Sequence, residues 1–208
     1  MATISETLQE IPIIQENISN EIENGTLDDI FLNQISNIIG VYYFNLLAHT
    51  CMNLISLEIK KGNFPHAFEL YNDLAEQSFA YEEMIKQDSI SNLFIIWAKF
   101  EQFVYRHANN NLGKVAGDFQ KAHRIFMENN NIKRKRIKKI EKVFTGIRRT
   151  RNSLHNDGIY HNEEGKSYIF ELAGEEYKLE HDEPVRPIRT LTLVNFLLEH
   201  YYELQCNE

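Results

Sequence analysis

From Ile30 to Leu57 the chain runs 28 residues without one Asp, Glu, Lys or Arg. Asn33, Gln34, Asn37, Asn45, His49, Thr50 and Asn53 interrupt that stretch every few residues. Such side chains are costly in hydrocarbon, which argues against a membrane span. The alternative is a long central helix of a bundle, buried or lying at a subunit interface.

The remaining sequence supports the helical reading. Glycine (9) and proline (4) are scarce in the 208 residues, so the turn-punctuated short strands of an all-β protein are missing over most of the length. The acidic first 25 residues, ending at Asn24-Gly25, read as a short or loosely attached helix. Residues 26–208 read as one helical domain. Thr26 to Asp29 has the look of a capping box for the long helix, and Gly62 is its expected stop. A second helix is expected from Asn63-Phe64-Pro65 to about Lys86. Asp88 or Ser89 should then cap a strongly apolar helix through Leu93, Trp97, Phe100 and Val104. Further helices are expected at 115–128 and 132–156, the latter capped by Asn129 to Asn131 and ended by Asp157-Gly158. A β-hairpin is predicted at 167–180 around Ala173-Gly174, and a final helix at 188–204. The predicted fold class is therefore all-α, an up-and-down helical bundle with a small β-hairpin inserted before the last helix.

Two cysteines, Cys51 and Cys206, show no pairing pattern and read as a packed thiol and a terminal thiol. With an N-terminus that lacks a basic, apolar leader, they point to a reducing cytoplasm.

The charge is unevenly distributed. Residues 133–151 hold Lys133, Arg134, Lys135, Arg136, Lys138, Lys139, Lys142, Arg148, Arg149 and Arg151 against the single acid Glu141. That segment is +9, leaving −17 for the remainder of a chain whose net charge is −8. A basic run of this kind is either a solvated face or a surface that follows phosphates, and Lys133 to Lys142 are the candidate RNA-binding residues.

The basic run ends in Phe144 to His161, FTGIRRTRNSLHNDGIYH. At about 100° per residue, Arg148, Arg151, Asn152 and His155 fall within an arc of about 100° on one side of a helix. Guanidinium groups bind phosphate bidentately, and imidazole exchanges a proton near neutral pH. Together they suffice for phosphodiester chemistry without a metal. A metal site would have to gather His155, Asp157, His161 and Glu163, which lack a fixed metal-ligand spacing. No glycine-rich phosphate loop is present.

With these residues in view, the chain resembles the HEPN superfamily, helical bundles marked by an arginine and a histidine four to six residues further on. Arg149 with five intervening residues, or Arg148 with six, meets that spacing before His155. Arg151-Asn152 supplies the common Arg-polar pair, although only three residues separate Arg151 from His155. Asn156, Gly158 and Tyr160 extend the likeness to HEPN-like bacterial proteins with an R-N-x-x-H-N-x-G-x-Y run. The resemblance implies a homodimer whose motif helices face each other, and a metal-independent endoribonuclease of the toxin–antitoxin or phage-defence type. It also implies a partner such as an antitoxin or a nucleotidyltransferase, and no cofactor. His155 would then take or donate a proton, Arg148 and Arg151 would hold the phosphoryl oxygens, Asn152 would orient the imidazole or the phosphate, and Arg149 is a further catalytic candidate by its spacing. Glu101 is a candidate partner for one of the arginines. The competing readings are a dimeric module that binds RNA, a nucleotide or a protein without catalysis, and a structural motif in which His155 meets the helix dipole and Tyr160 pins the hairpin.

Overall fold

The computed structural model describes residues 4–24, 29–62, 68–112 and 118–205. Among them are six helices and one antiparallel hairpin: α1 (Ile4–Glu23), α2 (Asp29–Lys60), α3 (Phe68–Leu112), α4 (Phe119–Asn129), α5 (Arg134–Asn156), β1 (Tyr168–Leu172), β2 (Glu175–Leu179) and α6 (Thr190–Gln205). The chain is a helical bundle with its hairpin immediately before the last helix. No helix among the described residues is long and apolar enough to cross a membrane.

Helix α3 is the hub, packing against α2, α4, α5 and α6. Its Trp97, Phe100 and Phe103 recur at three-residue steps and are fully buried. They meet Phe31 of α2, Phe144 of α5 and Tyr201 of α6, with ring centroids 5.1 to 5.9 Å apart. A fully buried Phe contributes about 1.5–3 kcal/mol, so this aromatic column, which touches four helices, is a substantial part of what joins the bundle.

Three segments differ from the sequence-based expectation. Where a short or loosely attached N-terminal helix was expected, α1 is a 20-residue helix packed on α2, with Ile11, Ile14 and Ile18 in the core. Their spacing of three and four is an amphipathic face that the acidic composition masks. The expected break at Asp88-Ser89 is absent, since α3 runs 45 residues without interruption. No Gly or Pro stands there to break it, and the Asp88 carboxylate accepts a 3.2 Å hydrogen bond from Asn45 of α2 instead of capping a new helix. Helix α4 begins at Phe119, where Asp118 accepts hydrogen bonds from the amides of Gln120 and Lys121. The expected start of the second helix at residues 63–65 and the terminal thiol Cys206 lie outside the described residues. Cys51 is exposed rather than packed.

The hairpin closes through Ala173 and Gly174, both at positive φ (47° and 79°), as a two-residue type I′ turn requires. Phe170 and Leu172 point inward while Ile169 and Glu171 face out. Phe170 lies on Gly146 of α5 so closely that a Cβ there would stand 2.4 Å from its ring. Gly146 is therefore the position that lets β1 lie against α5.

Candidate functional site

One unbroken helix, α5, carries every candidate site residue but Lys133, which directly precedes it with no side-chain cap hydrogen bond. The expected cap from Asn129 to Asn131 is absent. Ile137, Ile140, Val143, Phe144 and Ile147 turn inward, fixing which way the polar positions point.

At its C-terminal end the helix stops because Gly158 takes φ +78° and donates its amide to the Ser153 carbonyl at 2.8 Å. The chain then runs beside 182–185, with Tyr160 N bonded to Glu183 O and Val185 N to Gly158 O. This return places Tyr160 against α5. Arg149 Nη1 donates to Tyr160 Oη at 2.7 Å, and the guanidinium carbon lies 4.4 Å from the Tyr168 ring centroid. Asn162 Nδ2 donates to the same hydroxyl at 3.0 Å.

The three arginines thus have separate environments. Arg149 is tied to the hairpin side. Arg151 reaches α3, with Nη1 3.6 Å from Glu101 Oε1, so Glu101 pairs with an arginine as expected; the same oxygen accepts the Trp97 indole N–H at 2.6 Å. Arg148 is exposed and forms no ion pair with a described residue. His155 is exposed, its ring 5.9 Å from Phe94 of α3, and no hydrogen bond joins its imidazole to another described residue. Asn152 is exposed and accepts from Arg151 at 3.4 Å. Arg148, Arg151, Asn152 and His155 therefore share one face, with Arg151 and His155 turned toward α3.

Of the basic run, Lys133, Arg134, Lys135, Lys138, Lys139 and Lys142 are exposed. Arg136 is engaged in a bidentate pair with Glu203 of α6 at 3.0–3.1 Å, so it ties α5 to α6. The helix also corrects the simple linear view, in which the basic run leads directly into the Arg/His stripe. At about 100° per residue, Lys142 and His155 stand about 140° apart around α5. Lys135, Lys142, Arg149 and Asn156 are seven apart and drift only about 20° per step. The lysines line up with Arg149 and Asn156, not with His155.

That row ends in a cleft of about 410 Å³ lined by Arg149, Asn152, Ser153, Asn156, Tyr160 and the 159–164 segment. At its rim His161 is clamped between two carboxylates, Nε2 2.9 Å from Asp157 and Nδ1 2.9 Å from Asp182. The hydrogen bonds to Asp157 and then Asp182 raise the His161 pKa, and the bond to His161 in turn lowers that of Asp157. In sequence His161 stands out only as a conceivable metal ligand and Asn162 not at all; the fold of the 158–165 return is what brings them to α5. No cluster of three His, Cys, Asp or Glu side chains among the described residues is arranged to hold a metal.

A comparison with known proteins finds no matching family model, no matching curated protein and no matching solved structure.

Proposed function

We propose that this chain is a HEPN-like RNA-binding protein whose α5 face works as a metal-independent endoribonuclease. The observation that carries this reading is the grouping of exposed Arg148, Asn152 and His155 with Arg151 on one side of α5, Arg151 being steadied by Glu101. A ribose 2′-oxygen attacks the adjacent phosphorus, the bond from phosphorus to the 5′-oxygen breaks, and the products are a 2′,3′-cyclic phosphate and a free 5′-hydroxyl. His155 takes the 2′-hydroxyl proton or supplies one to the departing 5′-oxygen, a contribution worth about 10²–10⁴-fold. Arg148 and Arg151 hold the phosphoryl oxygens as charge builds. Lys135, Lys138, Lys139 and Lys142 attract the backbone.

The test is cleavage of total RNA by the purified chain in EDTA. Cyclic-phosphate ends, lost with His155→Ala, support the reading. Intact RNA that nevertheless binds the protein favours a non-catalytic module, a second reading supported by the structural partners of Arg149 and Arg151.

The partner we assign is a second copy on α2. Ile30, Asn33, Asn37, Val41, Phe44, Ala48, Cys51, Leu54 and Leu57 are exposed and follow each other at steps of three and four. Val41 is 62% exposed, Phe44 71%, Leu54 57% and Leu57 50%. Ile30 is 57% exposed, so five large apolar side chains stand at least half exposed along this face and, with the flanking Asn, Ala and Cys side chains, form an uncharged surface of the kind that contributes to the roughly 800 Å² per partner of a standard interface. Two such uncharged faces meet without repulsion, whereas pairing through α5 would oppose two +9 segments. Partner antitoxins or nucleotidyltransferases remain implied only by the resemblance. A cytoplasmic setting is likewise part of the proposal.

A further inference from the structure

We infer that the cleft at the end of α5 receives a single unstacked nucleobase, so that the protein reads one base of a single-stranded RNA beside the Arg148/His155 face. The inference rests on the RNA reading above and specifies its substrate.

The lining chemistry suits a base better than a phosphate. Asn152, Ser153 and Asn156 supply neutral donors and acceptors, the pattern that matches the edge of an unpaired base. Asn156 is exposed, and no hydrogen bond joins its side chain to another described residue. The cationic groups at the cleft already have partners: Arg149 holds Tyr160, and His161 lies between Asp157 and Asp182. Glu163 and Glu164, also lining it, would repel a phosphate. Arg149 is also held in place, by its hydrogen bond to Tyr160 and by the Tyr168 ring 4.4 Å from its guanidinium carbon, and a guanidinium so fixed is a group onto which bases stack.

Size and placement agree with that ligand. A volume of about 410 Å³ suits one nucleoside and excludes a duplex. The walls are set in advance: Asn162 is bound through its Nδ2 to Tyr160, through its Oδ1 to the Glu164 amide and through its own amide to His181. The exposed row Lys135, Lys138, Lys142 runs along α5 to this mouth, whereas a neutral sugar would have no use for such a row. Asn152 borders both the cleft and the Arg148/His155 face, so a base seated in the cleft brings its own phosphate toward those two residues.

The test uses the full chain and the four uncharged ribonucleosides, which separate base recognition from phosphate attraction. Amide resonances of residues 149–164 are followed by nuclear magnetic resonance, in parallel with binding of a mixed-sequence single-stranded RNA. At least one nucleoside is expected to shift those resonances at millimolar concentration, with an affinity indifferent to salt. Asn156→Leu, a substitution at an exposed position, should weaken that binding about tenfold, the loss of one to two hydrogen bonds. RNA affinity should by contrast fall steeply with salt. If no nucleoside shifts the cleft while RNA still binds, the base pocket is overturned and the RNA reading stands. If neither nucleosides nor RNA bind, both fail. Shifts that persist unchanged in Asn156→Leu also overturn the pocket.

Discussion

His123 of α4 and His200 of α6 face each other Nε2 to Nε2 at 2.8 Å inside the aromatic core, each about 1% exposed. One ring must donate and the other accept, so the pair is satisfied only while at least one ring is neutral. Beyond them, His200 Nδ1 lies 3.5 Å from Glu203, which Arg136 grips from α5. Burial, and then the neighbouring His200, depresses the His123 pKa well below its usual 6.5; burial lowers that of His200 more than Glu203 raises it.

Acid sensitivity follows. The unfolded chain takes up protons near pH 6.5 while both folded imidazoles resist them, so stability is complete above that value and declines as pH falls below it. Glu203, held at about 2 by His200 and Arg136 against an ordinary 4.5, adds a second loss as pH drops from about 4.5 toward 2. Urea midpoints measured from neutral pH down to about pH 5.5 should fall in the wild type, and the decline should flatten in His123→Leu/His200→Leu. An equal decline in both proteins would mean the pair is not its source.

Gly146→Ala should destabilise the protein by about 1–3 kcal/mol, the usual range for overpacking a filled interior. The added methyl would meet the Phe170 ring near its root, where the side chain has little room to turn aside. Thermal unfolding would read the loss, and an unchanged midpoint would show that the hairpin shifts freely on α5.

Tyr160→Phe should cost about 1.5–3 kcal/mol, since it deletes a buried hydroxyl that serves a charged guanidinium and also bonds Asn162. Hydrogen exchange should quicken selectively at residues 158–165. If only global stability changed, the hydroxyl would not be what holds this return in place.

Glu101→Ala should cost about 1–3 kcal/mol by leaving the fully buried Trp97 indole N–H without its acceptor. Glu101→Gln, which keeps an acceptor but removes the charge facing Arg151, should lose less. Denaturant titration of the two variants separates the two roles.

Phe44→Glu should leave the helical content unchanged, because the ring is 71% exposed on the single chain, while converting a dimer to a monomer in sedimentation velocity and removing the concentration dependence of thermal unfolding. A wild type that is monomeric at high concentration would rule out α2 as a self-association face.

Much of the architecture was legible because period and punctuation are local. The aromatic spacing of Trp97, Phe100 and Phe103, the Ala173-Gly174 turn and the Gly158 stop each declare themselves within a few residues. The continuity of α3 was not legible: whether Asp88 caps a new helix or bonds elsewhere depends on Asn45, 43 residues away. The N-terminal helix was underestimated because its acidic surface dominates composition while its buried isoleucines are few.

At the candidate site the residue types were visible but their grouping was only partly so. The sequence alone determined that α5 would carry arginines, amides and a histidine at helical spacing, because periodicity follows from 3.6 residues per turn. Only the tertiary structure decided that Arg149 serves the hairpin, that Arg151 answers to Glu101, and that Arg136 belongs to α6. These guanidinium groups are chemically identical in one dimension. What separates them is the side of the helix each leaves from and which neighbouring element offers a hydroxyl, a ring or a carboxylate within reach.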